Sequence, residues 1–164
     1  MSAFDAFLFI DGIKGETDDK MFPGQIELLS YSFGATQTGS FAYGGGGSTG
    51  KVQFQDFHFS KRCDDATPHL FDATCSGKHI PKCELSLRKS TGDGGQQVFY
   101  KVTFEDVLLS SQTVSGQGSG DPIPTESISF NFAKMIMAYG KQDAKGKVGA
   151  LVPKGWDQKK NQKV

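Results

Sequence analysis

The chain has 164 residues, and its 18 Lys and Arg balance 18 Asp and Glu, so the formal net charge is zero. One domain is expected at this length, burying roughly 70% of its unfolded surface without help from a disulfide or a metal. Zero net charge argues against a general nucleic-acid binder, and the longest apolar runs, 6–10 and 135–139, are far too short to insert in a membrane.

Alternation of apolar and polar residues dominates the chain, which predicts strands. Residues 4–10, FDAFLFI, are apolar on both faces after Asp5, as in a strand covered on both sides. Asp11-Gly12 and Lys14-Gly15 supply turns, and the Asp18-Asp19 pair reads as another. Residues 26–37 place Leu29, Tyr31, Phe33 and Ala35 on one face. Beyond a glycine-rich stretch, Val52 and Phe54 share one parity while Phe57 and Phe59 share the other. A bulge near Gln55-Asp56 restores a single apolar face, because one extra residue resets a period of two.

The segment 64–82 breaks the alternation and predicts a helix over about 65–77. Asp64 or Asp65 can cap it, Pro68 falls in the first turn, and Gly77 is a stop signal. Too short to be stable alone, the helix must dock on the sheet, with Leu70 and Phe71 as anchors. Leu85 and Leu87, then Val98, Tyr100, Val102 and Phe104, then Val107 and Leu109, read as three further strands. Gly92-Asp93-Gly94-Gly95 makes the first hairpin among them. A second slip of phase separates Ile128, Phe130 and Phe132 from Met135, Met137 and Tyr139. Bulges bend strands and let sheets curl. The expected fold is mainly β: one small β-barrel of two curved antiparallel sheets spanning 1–164, with one flanking α-helix.

Chemistry is sparse. Residues 45–51, GGGSTGK, match a phosphate-binding loop through Lys51, but Val52 stands where a Ser or Thr should bind magnesium, and a strand follows in place of a helix. That stretch reads as a flexible connector, longer than most hairpin loops. Cys63, Cys75 and Cys83 lie among His69 and His79, yet their spacing fits no familiar zinc site, so reduced thiols and no metal are expected. Ser40, Ser48 and Ser60 have no base and orienting acid nearby in sequence, so no catalytic site and no cofactor are expected. His58 alternates with Phe57 and Phe59 and reads as a surface residue, as does His69. The 14 Phe residues sit inside strand patterns, which favours core filling over a sugar or lipid pocket.

Four stretches taken in order resemble the Hcp (haemolysin-coregulated protein) family of bacterial type VI secretion: 5–19, DAFLFIDGIKGETDD; 24–34, GQIELLSYSFG; 52–80, a strand running into a D-x-x-T-P helix; and 152–164, VPKGWDQKKNQKV, with Gly155, Trp156, Asp157 and Asn161. Thr67 stands where Ser is frequent in the family, and either can cap or turn. The resemblance implies a barrel with a flanking helix and a homohexameric ring. Rings stack into a tube that a contractile sheath expels, and small effectors are held and stabilised in the lumen. Sheath and spike proteins are further implied partners. It also implies that a long loop at about 38–50 contacts the next ring, here with Thr38, Phe41, Tyr43, Gly45 and Lys51. No basic n-region precedes the first strand, so synthesis in the cytoplasm is expected, with release to the exterior or a target cell without a cleaved leader. With the sequence ending at Val164, no fused effector domain is expected.

Charge fits self-assembly. Residues 1–35 carry two lysines against six acids, net −4, and residues 141–164 carry seven lysines against two aspartates, net +5. Opposite signs suit head-to-tail contact between copies. The competing readings are a non-catalytic β-barrel or β-sandwich module that binds a ligand, and an enzyme whose site forms only in three dimensions.

Overall fold

Among the described residues, alternating stretches become nine strands, and one helix breaks the pattern. The computed structural model describes residues 5–39, 50–92 and 94–164. The strands are β1 (Asp5–Ile10), β2 (Ile26–Glu27), β3 (Ser30–Gln37), β4 (Val52–Arg62), β5 (His79–Ser90), β6 (Gln96–Ser115), β7 (Thr125–Tyr139), β8 (Val152–Asp157) and β9 (Gln162–Lys163), with α1 (Ala66–Ser76) between β4 and β5. They form one antiparallel sheet in the order β2-β1-β5-β6-β7-β4-β3, with β8 on β7 and β9 on β8.

Two details of the expected barrel need correction. There is one nine-stranded sheet, not two. Among the described residues no ladder between separate strands shuts it either. The first and last strands of the path, β2 and β3, are successive parts of one stretch of chain. At the corner between them the Leu28 N–H donates to Ala6 O at 3.0 Å, on one side, and the Leu29 N–H donates to Ser60 O at 2.8 Å, on the other. One segment therefore bridges both edges of the sheet.

The early bulge lies where parity places it. Ser32 pairs with His58 but Gly34 pairs with Gln55, so Phe33 faces two residues, Asp56 and Phe57. The late slip takes another form. The inward face of β6 changes from Val102 and Phe104 to Val107 and Leu109. Opposite it, β7 passes from Phe132, on the core, to Met135 and Met137, packed at its margin. Glu105 pairs with Lys134 and Val107 with Phe132, so the two slips cancel and the register is kept. Asp106, at φ 57°, absorbs the change in β6; an aspartate tolerates this left-handed backbone better than most side chains. Residues 98–109 are thus one strand, not the two that alternation suggests. At this kink β7 also changes partner, from β4 along Thr125–Phe130 to β8 along Lys134–Tyr139.

The core is aromatic. Phe57 stacks on Phe130 with ring centroids 4.9 Å apart, and Phe104 meets Phe57 at 5.0 Å and Phe132 at 4.7 Å. Phe57, Phe59, Phe104, Phe130 and Phe132 fill the interior, as their spacing indicates, whereas Phe9 in β1 is 37% exposed although both faces of that strand are expected to be covered. Among the described residues no helix is long and apolar enough to cross a membrane.

Candidate assembly surface

The two ends of β4 organise the molecule. At its start, Gln37 pairs with Val52, the last rung before the connector 38–51. Thr38 and Lys51 are exposed at the neck of this loop. A Cβ on Gly50 would lie against Thr38 Oγ1, so the two strands leave the sheet in close contact. Lys51 is followed directly by the eleven-residue strand β4, not by a helix, which removes the phosphate-loop context. Phe41, Tyr43 and Gly45 lie outside the described residues.

The C-terminal motif meets this same end. The Phe54 N–H donates to Gln158 Oε1 at 3.1 Å, and the Gln158 N–H donates to Ala133 O at 2.8 Å. Gln158 thus plugs the gap that opens where β7 leaves β4. Gly155 is required by close packing: a Cβ there would sit 2.9 Å from Met135 O and 2.8 Å from Ile136 Cγ1. Trp156 pairs with Met135 and is half-buried. Asp157 Oδ1 accepts the Lys160 N–H at 3.0 Å, and Asn161, at φ 51°, completes the turn into β9. The sequence motif is therefore a tight hairpin that presents Lys159 and Lys160, both exposed, beside the loop neck.

At the other end of β4 the chain runs into α1 through a closed ionic cluster. Lys61 has the parity of Phe57 and Phe59 and is 0% exposed. Its Nζ lies 3.0 Å from Glu126 Oε1, itself buried, and 2.6 Å from Asp64 Oδ1. Nζ also donates to Arg62 O and Thr67 Oγ1. The Cys63 thiol donates to Glu126 Oε2 at 3.4 Å, and burial and that carboxylate raise its pKa. Asp64, not Asp65, supplies the cap: its Oδ1 accepts the Ala66 N–H at 2.9 Å, while its own N–H donates to Thr67 Oγ1 at 3.0 Å. That exchange is the physical content of the D-x-x-T-P motif.

Gly77 closes the helix in the left-handed conformation, φ 65°. Leu70 docks the helix, 0% exposed, together with Ala66 and Ala73. Phe71 does not, and the expectation of a second anchor is corrected. It is 63% exposed, because the inward stripe runs through positions 66, 70 and 73 and residue 71 is turned about 100° from 70.

The stretch 11–25 covers the outer face of β1. Arg88, 7% exposed, fixes it through Asp5 at 2.9 Å and both oxygens of Asp19, at 2.7 and 2.5 Å. Its guanidinium stands 4.8 Å from the centre of the Phe7 ring, which stacks on Phe22. The Arg88 hydrogen bonds hold the Asp19 carboxyl below the usual carboxylate range. Asp18-Asp19 is thus a turn as expected, with Asp19 also clamping it: its Oδ1 accepts the Met21 N–H at 2.9 Å. The acids Asp11, Glu16 and Asp65 gather at the α1 end, where the Asp65 N–H donates to Glu16 Oε1 at 2.9 Å.

A third feature is a hydroxyl-rich outer face on β3, β4, β6 and β7. Ser30 and Ser60 touch at 2.5 Å, and Ser129 meets Ser110 at 2.7 Å and Ser111 at 2.6 Å. His58 is exposed on this face, as its parity requires, and His69 is exposed on α1. Cys75 is exposed, Cys83 is buried in the core with its thiol pKa pushed up by that burial, and no group of three or more His, Cys, Asp or Glu that could hold a metal occurs among the described residues.

Comparison with known proteins bears on this geometry. The family model for "Type VI secretion system effector, Hcp" matches residues 7–139. Protein hcp1 of Pseudomonas aeruginosa is 41% identical over 160 residues, covering 97% of this chain and 98% of that one. A solved type six secretion system protein superposes with a TM-score of 0.91 at 31% identity, over 99% of this chain and 100% of that one. Hcp1 from Salmonella typhimurium superposes with a TM-score of 0.83 at 32% identity, again over 99% and 100%. This chain therefore belongs to the Hcp family and is a type VI secretion tube protein.

Proposed function

We propose that six copies of this chain, each a single barrel domain over 1–164 with an extended loop at 38–50, close into a ring. Rings stack head to tail through that loop into the expelled tube. The observation that carries this reading is the polarity of β4. Exposed Lys51, Lys159 and Lys160 lie toward its start, on the side of the loop neck, while Asp11, Glu16 and Asp65 gather beyond its end, with Lys14 and Lys78 among them. A subunit with a basic end and an acidic end favours heterologous contacts over like-to-like ones.

The hydroxyl face of β3, β4, β6 and β7 suits the lumen wall, since many small neutral donors and acceptors hold a folded cargo weakly at many points. Small effector proteins are the proposed cargo, and sheath and spike proteins the further partners. The subunit is made in the cytoplasm and leaves the cell within the expelled tube, to the exterior or a target cell. Neither catalysis nor a cofactor is part of this role. Negative-stain electron microscopy of the purified protein tests it: six-fold rings are expected, and featureless monomer-sized particles would overturn the reading in favour of a ligand-binding module.

A further inference from the structure

Two β-bulges converge on the hydroxyl face. In the β3–β4 pair the register shifts between Ser32 and Gly34, so Asp56 and Phe57 share one partner. In the β6–β7 pair it shifts between Leu109 and Ser111, which leaves Ser110 as the extra residue. An extra residue re-aims the side chains around it. Ser110 and Ser111 both reach Ser129 of β7, at 2.7 and 2.6 Å. Ser110 Oγ also donates to Asp56 Oδ2 at 2.7 Å, across β7 to β4. The residues displaced by the two bulges therefore touch each other.

The direction of the hydrogens follows. An ionised carboxylate only accepts, so the one Ser110 hydrogen is spent on Asp56. Ser129 must then donate to Ser110, and Ser111 to Ser129. All three hydrogens point along the chain toward Asp56. What the cluster shows outward is acceptors: the second oxygen of half-buried Asp56 and the lone pairs of exposed Ser111. Among the described residues no Lys, Arg or His stands within ion-pair distance of Asp56, exposed His58 on the same face included. The strand carboxylates Glu84, Glu105 and Glu126, by contrast, each meet a lysine.

We propose that this cluster reads a cationic side chain, arginine or lysine, on a cargo protein. The inference rests on the proposal above that the hydroxyl face lines the lumen. A cation brings donors and a positive charge, the two things the cluster lacks. The Ser110 bond holds the carboxylate in one place, so the partner meets a preorganised acceptor. A half-buried carboxylate is also screened less by salt than a fully exposed one. The hydroxyls of Ser30, Ser60, Ser127 and Thr113 beside it are neutral, so the charge at Asp56 stands out on the face. Repeated in every copy of a ring, such weak contacts combine into avidity for one cargo.

Ligand-observed NMR on the full chain tests the proposal, with the same sample viewed by electron microscopy. The probes are N-acetyl-glycyl-arginyl-glycinamide and its citrulline analogue, which keeps the shape and loses the charge. Wild type should bind the arginine peptide about fivefold more tightly. Asp56→Asn can still accept from Ser110, so it should keep its thermal stability and lose that preference. Ser111→Ala removes only the outer acceptor and should weaken the arginine peptide about threefold. Equal binding of the two peptides by wild type, or binding of neither, would overturn the proposal. A preference that survives in Asp56→Asn while thermal stability falls would also overturn it, and would leave Asp56 as a pin between two bulges. Rings without the preference would remove the reading site and leave the tube standing. Monomer-sized particles that keep the preference would retain the site but overturn its role in holding cargo.

Discussion

At its C-terminal end β4 delivers Lys61 into a closed cage of Glu126, Asp64, Thr67 and a backbone carbonyl, with no exposure of the lysine. At its N-terminal end the same strand is tied by side-chain bonds from Gln158 to the Phe54 N–H and from Thr36 to Gln53 O, and is preceded by a fourteen-residue connector rich in glycine. The first end spends ionic and capping interactions on fixing α1 within the subunit. The second carries the loop proposed to meet another copy. If the proposed role of the loop holds, stability and assembly lie at opposite ends of one strand, and changes at the two ends should separate them.

The largest effect is expected at the cage. Lys61→Met leaves Glu126 buried without its cation and should lower unfolding free energy by about 3–5 kcal/mol in denaturant titrations. Adding Glu126→Leu should recover most of that loss, since an apolar pair removes both desolvation costs. A single-variant loss below about 1 kcal/mol would mean that Lys61 is solvated and that the cage does not hold α1. Next is Gly155→Val, whose side chain meets Met135 O and Ile136; a loss of about 1–3 kcal/mol is expected, and none would show that β8 moves freely off β7.

A smaller effect is expected at Asp19, with a definite pH signature. Its pKa is below the ordinary 3.8 when folded, because Arg88 binds the carboxylate. The stabilisation is therefore present above the unfolded value and lost as pH falls through the folded one. Asp19→Asn should be less stable than the wild type at pH 7, and the gap should narrow as pH falls below 3.8 and close beneath the folded value. A gap independent of pH would assign the effect to shape, not charge.

The smallest effect on folding is expected at the loop. Phe41→Ala or Tyr43→Ala should change unfolding free energy by less than about 0.5 kcal/mol, yet shorten tubes in micrographs. Equal tube lengths would remove the loop from the interface. Stacking should also weaken as salt rises, because the exposed basic and acidic ends are screened over about 8 Å at physiological ionic strength.

Much of this architecture is legible in the residues. Alternation places the strands, the parity slip at Gln55-Asp56 locates the bulge opposite Phe33, and Asp64, Pro68 and Gly77 bound α1. Three things are hidden, each for a physical reason. The slips in β6 and β7 cancel across the pair, so Glu105-Asp106 looks like a turn when it is a kink in one long strand. Phe71 looks like an anchor by composition, but helix geometry turns it outward once Leu70 points in. Lys61 looks like a surface lysine at a strand end, although its parity with Phe57 and Phe59 already directs it inward. Of the site, the loop and the C-terminal motif are visible as separate stretches, and only the bond from Phe54 to Gln158 shows that they share one end of the molecule.

Sedimentation velocity of two blocked rings tests the polarity of β4 most directly. One ring carries Phe41→Ala with Tyr43→Ala, which disables the loop end. The other carries Glu16→Lys with Asp65→Lys, which reverses the charge at the α1 end. Each alone should sediment as single rings, and an equal mixture should give pairs of rings and nothing longer, because only one competent face remains on each. Long tubes from either variant alone, or single rings only in the mixture, would contradict assembly through two complementary ends.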